Sequence, residues 1–302
     1  MVCMLDKLMT ETRNRNTTAL DRMSVHELLV CMNREDRTVP AAVTQVLDKV
    51  ERVTRMAIAA LGSGGRLIYM GAGTSGRLGV LDAVECVPTF SAPPGQIVGV
   101  IAGGTKALTE SVEGAEDSEP LGAADLAALK LNSRDLVIGI AASGRTPYVI
   151  GGLKYAGQVD AKRASLSCNR RAAISRYADV AIEVDTGPEV LTGSTRLKAG
   201  TSQKLILNMI STAAMVGLGK VYENLMVDVQ PTNEKLVDRA KRIISEATAV
   251  DAQTAEDYFV KSGRNVKAAI VMILTGCPLT EALDRLRRTQ GFIRRAVDRP
   301  CR

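Results

Sequence analysis

Two hydroxyl- and glycine-rich turns hold the residue types in this sequence best suited to grip an anion. The first, Gly71-Ala72-Gly73-Thr74-Ser75-Gly76, follows the apolar run Leu67-Ile68-Tyr69-Met70 and enters a helical pattern with Leu78, Leu81 and Val84 on one side. A strand, a glycine turn and a helix start together present free backbone N–H groups, and the helix dipole favours negative charge there. Gly73 and Gly76 let the backbone come close to a ligand, and the hydroxyls of Thr74 and Ser75 can join the donors. The second turn repeats the design: the run ending at Ile140-Ala141 leads into Ser143, Gly144, Arg145 and Thr146, with Pro147 opening a helix. Thr146 at the N-cap and proline at the first helical position are a favoured helix start, so a plain cap is the alternative reading of this turn. Two such turns at one edge of a parallel sheet point to a phosphorylated small molecule, because ligands of open sheets bind beyond the strand carboxyl ends.

The first turn also matches the dinucleotide pattern G-x-G-x-x-G. That site needs a carboxylate at the end of the next strand, roughly 20 residues on. The next strand-like run, Gln96 to Ile101, ends in Ala102-Gly103-Gly104. Aromatic residues make up only 3% of the chain and tryptophan is absent, which leaves little to stack on nucleic bases. The net charge of +6 is spread along the chain and densest near Arg285, Arg287, Arg288, Arg294 and Arg295, which suits an anionic substrate better than a nucleic-acid partner. Six cysteines lie far apart with no C-x-x-C pair among them, and the single histidine, His26, falls in a helical-looking N-terminal stretch, so no metal site and no cofactor are expected. Reduced thiols point to the cytoplasm. No membrane partner is expected either, since the longest apolar run, Ala268 to Leu274, is far too short to cross a bilayer.

Positioning these turns calls for alternating strands and helices. Strands are predicted at 67–70, 96–101, 135–141, 163–168 and 180–184, with helical stretches at 106–116, 123–129 and 147–157 between them. Apolar strands alternating with helices imply an α/β fold: a five-stranded parallel sheet in a three-layer α/β/α sandwich. Ahead of it, Ser24 caps a helix through Met32, and one long amphipathic helix runs from Thr38 to the Gly62–Gly65 stop, with Val43, Val46, Leu47, Val50, Val53, Met56 and Ala57 on its apolar side. A further helix over 197–218 places Leu205, Leu207, Met209, Ile210 and Met215 in the core. Arg196 and Lys198 open that helix, and Ser194 and Thr195 just before it either donate to a ligand or cap. From Glu234 short helices follow one another. The expected domains are a helical arm (1–40), an α/β domain that carries both turns (41–232) and a small helical domain (233–302).

Taken together, GAGTSGR, AASGRTPYV and this succession of elements resemble the sugar isomerase (SIS) domain, whose members grip phosphosugars and form dimers. The longer stretches LDAVECVPTF, SVEGAEDS, TGSTRLKAGTSQKLILNM and NLMVDVQPTNEKL resemble the N-acetylmuramic acid 6-phosphate etherase family over almost the whole chain. The resemblance implies removal of D-lactate from carbon 3 of the sugar, giving N-acetylglucosamine 6-phosphate, by a cytoplasmic homodimer recycling cell-wall sugars. It implies Glu85 and Glu116 as the catalytic pair, with Glu113 and Asp117 as neighbouring competitors for the base role. Glu85 falls in the predicted last turn of the helix after the first loop, with Pro88 beyond, where the dipole would favour the protonated acid. The bound phosphosugar would touch Gly73, Thr74, Ser75, Gly76, Ser143, Gly144, Arg145, Thr146, Ser194 and Lys198. Family sites lie near the subunit interface, so some of these residues would serve the partner. Two alternatives remain: a non-catalytic phosphosugar sensor resembling glucokinase regulatory protein, and an aldose–ketose isomerase.

Overall fold

The computed structural model describes residues 8–231 and 233–298. It divides into two compact units, one made of the chain up to Val84 with Gly95–Ser211, the other of Glu85–Pro94 with the chain from Thr212 on.

The first unit is built on five parallel strands, β1 (Leu67–Gly71), β2 (Ile97–Ile101), β3 (Leu136–Ala141), β4 (Lys162–Ser167) and β5 (Val180–Glu183), in the order β2-β1-β3-β4-β5. Every residue of β1 and β3 is buried, as continuous apolar runs covered on both faces must be, while the edge strands β2 and β5 are only partly covered. Helices α1 (Val25–Asp36), α2 (Thr38–Thr44) and α3 (Leu47–Gly62) precede the sheet. α4 (Gly73–Phe90) follows β1, α5 (Glu119–Ala128) follows β2, α6 (Pro147–Gln158) follows β3, and α7 (Lys198–Gly217) follows β5. Ile68, Met70 and Val137 pack with Tyr148, Val149 and Leu153 of α6 on one face of the sheet. On the other, α4 lies so close that a methyl at Gly79 would sit 2.8 Å from Cβ of Tyr69. The alternation of side chains along β1 therefore separates the two helical layers. α5 and α6 meet backbone to backbone, since a Cβ at Gly122 would lie 1.9 Å from the carbonyl of Tyr148.

Several elements depart from expectation. Ser24 does cap α1, in a reciprocal pair with Glu27, but the helix continues to Asp36. The long helix from Thr38 is two helices, α2 and α3, because Val46 leaves the helical region. The stretch 106–116 is not an α-helix. It is an irregular connection with short 3₁₀ turns at Gly104–Leu108 and Ala115–Asp117, and left-handed glycines Gly103 (φ 86°) and Gly114 (φ 74°) precede those turns. α4 does not stop before Pro88 but runs through it to Phe90, ending at Ser91 with φ 50°. A proline near a helix end removes one N–H and leaves the remaining turns intact. In α7, Leu207, Ile210 and Met215 are buried as expected, but Leu205 is half-exposed and Met209 is 40% exposed.

The second unit packs α8 (Glu234–Thr248), α9 (Ala252–Lys261), α10 (Val266–Thr275), α11 (Leu279–Arg288) and α12 (Ile293–Asp298) around Ile244, Phe259, Ile270 and Val271. Lys267 aside, α10 is apolar almost all round because it runs through the middle of this core. Asn233 caps α8 by accepting the N–H of Leu236. Asp228 receives Lys220 at 3.0 Å and Lys267 at 2.8 Å, and its carbonyl accepts the Ser91 hydroxyl. Among the described residues no single helix is long and apolar enough to cross a membrane.

Candidate active site

In the order β2-β1-β3-β4-β5 the chain reverses direction of winding between β1 and β3, the place where open parallel sheets take ligands beyond their strand carboxyl ends. The two hydroxyl-glycine turns follow these very strands.

The first turn is tight. A Cβ on Gly76 would lie 2.6 Å from Ile101 Cγ1 and 2.7 Å from the carbonyl of Gly71, so only glycine fits. Gly73 has φ 51° and opens onto free space, with nothing where its side chain would be. Thr74 is half-buried and its hydroxyl has no partner among the described residues. Ser75 is buried, and its hydroxyl donates to Gln203 Oε1 at 2.9 Å, tying α4 to α7. Further along, Asp82 strengthens the same contact by accepting Asn208 Nδ2 at 2.6 Å and Ser211 Oγ at 3.0 Å.

At the second turn Gly144 adopts φ 71°, and Ser143 Oγ accepts the N–H of Arg145 at 3.3 Å. Thr146 occupies the N-cap of α6 without making a side-chain cap bond, so its hydroxyl is left available. Thr146 thus holds the N-cap position through its backbone carbonyl, which accepts from Val149 and Ile150, and not through its side chain.

The irregular β2–α5 connection closes over the first turn and leaves a cavity of about 140 Å³ lined by Gly73, Arg77, Glu110, Ser111, Glu113 and Glu116, among others. Three carboxylates reach it, and their surroundings differ. Glu110 pairs with Lys106 at 3.3 Å, and Glu113 accepts the Ser111 hydroxyl at 2.7 Å. Glu116 is exposed and has no partner among the described residues, which leaves it open to take or give a proton. Asp117 does not line the cavity. Arg77 secures the wall, its Nε donating to the carbonyl of Leu108 at 3.2 Å and its Nη2 to that of Glu110 at 3.1 Å.

Gly73 and Glu116 are thus brought to one cavity. Glu85 is exposed and belongs to the second unit. It sits twelve residues along α4 from Gly73, about 18 Å at roughly 1.5 Å per residue. Because α4 continues to Phe90, Glu85 is not in its last turn, and the helix-dipole argument for a protonated acid there loses its basis.

The start of α7 is occupied from within. The fully buried Glu189 accepts the N–H groups of Lys198 and Ala199 at 2.8 and 2.9 Å, and burial pushes its carboxyl pKa up. Lys198 has a side chain 3% exposed and donates to Glu35 at 3.0 Å. Glu35 also receives Asn14 and Asn16 at 2.8 and 3.0 Å. Burial works to raise the Glu35 pKa, and these three donors outweigh it and hold it below its ordinary value. Ser194, half-buried, offers its carbonyl to Leu197 N. Arg77, Glu189, Gln203 and Glu35 escape a reading of the sequence by turns and caps. Arg77 alone carries a signal, its place directly after Gly76 in the first turn.

The family description "SIS domain" matches residues 117–213, and "Glucokinase regulatory protein N-terminal SIS domain" matches residues 45–157. The N-acetylmuramic acid 6-phosphate etherase of Bacillus cytotoxicus is 62% identical over 294 residues, covering 97% of this chain and 100% of that protein. The protein of the same name from Shouchella clausii is 62% identical over 296 residues, covering 98% and 100%. Among solved structures, a phosphoheptose isomerase from Francisella tularensis superposes with a TM-score of 0.50 at 16% identity, over 64% of this chain and 99% of that one, a likeness of fold alone.

Proposed function

This chain belongs to the N-acetylmuramic acid 6-phosphate etherase family, and from that premise we propose that it removes D-lactate from carbon 3 of N-acetylmuramic acid 6-phosphate, leaving N-acetylglucosamine 6-phosphate. The supporting observation is the cavity beyond the carboxyl ends of β1 and β2, lined both by Gly73 of a turn suited to a phosphate and by Glu116, a glutamate without a partner among the described residues.

The chemistry is an elimination. The open-chain aldehyde at carbon 1 acidifies the proton on carbon 2. A carboxylate takes that proton, a carboxylic acid protonates the departing lactate oxygen, and water then adds across the double bond. Each positioned acid or base contributes about 10²–10⁴ in rate. Glu116 is one partner in our reading. It lies at the cavity and is free of the hydrogen bonds that occupy Glu113. Glu85 is the other, acting in the site of a second copy. What supports this is its distance along α4 from the phosphate turn, and the apolar Leu81 and Val84 beside it, 52% and 60% exposed, which a second copy would cover. The protein is then a cytoplasmic homodimer with shared sites. Ser143, Gly144, Arg145 and Thr146 hold the sugar phosphate together with Gly73, Thr74 and Gly76. Ser75 and Lys198 support these elements from behind, and Ser194 is kept as a donor.

Release of D-lactate from the muramic acid phosphate tests the reading. Glu85→Gln and Glu116→Gln should each fold, bind N-acetylglucosamine 6-phosphate, and lose about 10²–10⁴ of turnover. Mixing the two inactive proteins should restore about a quarter of wild-type activity, because half of the dimers are mixed and each has one intact site of two. Near-normal turnover in either variant would remove that residue from the mechanism. Binding of the phosphosugar with no lactate released by the unaltered protein would favour instead a sensor of the kind suggested by the match over residues 45–157.

A further inference from the structure

The proposed substrate carries two anions, the 6-phosphate and the carboxylate of its lactyl group. The turn amides and hydroxyls account for the first. The cavity walls are poorly suited to the second, because Glu110, Glu113 and Glu116 all line them. A carboxylate entering among three carboxylates is repelled unless a cation meets it.

Among the described lining residues of this cavity the one cation is Arg77. Its guanidinium is fixed in place by two neutral acceptors, the carbonyls of Leu108 and Glu110. No ion pair among the described residues involves it, and its Nη1 has no partner there. An arginine held rigidly by carbonyls keeps its whole charge for another anion. Nη1 and the second N–H of Nη2 form an edge that matches the two oxygens of a carboxylate. The anchoring carbonyls belong to the same connection that bears Glu116, which sets this cation beside one carboxyl group of the proposed acid–base pair.

We propose that Arg77 binds the lactyl carboxylate of the substrate and thereby determines specificity for the lactyl ether over phosphosugars that lack it. The assignment rests on the etherase reading above. It makes Arg77 a binding group for the leaving fragment and leaves the sugar phosphate to the two turns.

The test is steady-state lactate release by wild type, Arg77→Gln and Arg77→Lys, with N-acetylglucosamine 6-phosphate as a competitive inhibitor that has no lactyl group. Arg77→Gln should raise KM for the muramic acid phosphate by about tenfold to a hundredfold, the scale of one lost charge-assisted bond, and leave the inhibitor's Ki within about twofold. Arg77→Lys should recover part of the loss. A substrate analogue with the lactyl group as its neutral amide should inhibit the wild type correspondingly less well than the acid binds, a comparison that needs no variant to fold. A Ki that rises in step with KM would assign Arg77 to the phosphate and overturn the proposal. So would a fall in kcat with KM and Ki unchanged, which would leave Arg77 a support for the loop, and so would equal affinity of wild type for acid and amide. Absence of lactate release by wild type refutes the etherase reading itself, and this assignment with it, before any substitution is made.

Discussion

Replacing Lys198 with methionine separates two roles that the sequence leaves open, substrate ligand and internal clamp. In the fold its side chain is 3% exposed and donates to a Glu35 side chain 9% exposed, at 3.0 Å. Removing one partner of a buried ion pair costs about 3–5 kcal/mol, because the remaining charge is left uncompensated. Glu35 keeps its two asparagine donors, which places the loss near the lower end, about 3 kcal/mol. For a unit of this size 1 kcal/mol lowers Tm by roughly 2–4 °C, so Lys198→Met should melt about 6–12 °C earlier by calorimetry or circular dichroism. Adding Glu35→Gln to it should restore part of that drop, since the orphaned charge is then gone. Lactate release measured well below the melting range should keep its KM within about threefold. An unchanged Tm with a large rise in KM would refute the clamp and return Lys198 to the substrate.

Two more outcomes follow from the same geometry. Gly76→Ala forces a methyl against Ile101 and the carbonyl of Gly71 at 2.6 and 2.7 Å, so it should cost about 1–3 kcal/mol and weaken N-acetylglucosamine 6-phosphate at least tenfold by titration calorimetry. Unaltered affinity would mean that the phosphate does not rest on this turn. Stability should fall in acid. Asp135 is buried, which works to raise its pKa, but Arg66 and the N–H of Asn132 outweigh this and hold it below its ordinary 3.8. Glu35 is likewise held below 4.5. A carboxylate depressed in the fold stabilises it above its unfolded value, and that contribution is lost as pH falls through the folded value. Tm should therefore hold steady near neutrality and drop steeply below about pH 4. Asp135→Asn should lower Tm at pH 7 and flatten the acid limb, and a limb that stays steep would shift the effect to other groups.

The five strands were legible in the chain, to within a residue or two, because buried parallel strands must be continuous apolar runs. Their turns were legible too, since glycine and hydroxyl residues after a strand have few other uses. Reading failed where one local signal met a tertiary demand. Residues 106–116 have helical composition, yet the connection must arch over the first turn, and Gly103 and Gly114 take left-handed angles to do so. Pro88 suggested an end to α4, but near a terminus a proline removes a single bond, and the helix passes through it. Met209 and Leu81 have core composition and stand exposed, because apolar spacing along a helix does not say which of its faces meets the core.

The sequence by itself determined the architecture and the two phosphate-turn candidates, because strand burial, glycine freedom and helix starts are local properties written in short stretches. Only the tertiary structure decided how the charges are spent. It turned Lys198 inward onto Glu35, plugged the start of α7 with Glu189, and left Glu116 and Arg77 open to the cavity. A charged side chain's partner is a neighbour in space, here as far off as 163 residues along the chain between Glu35 and Lys198, and no spacing in the sequence records it.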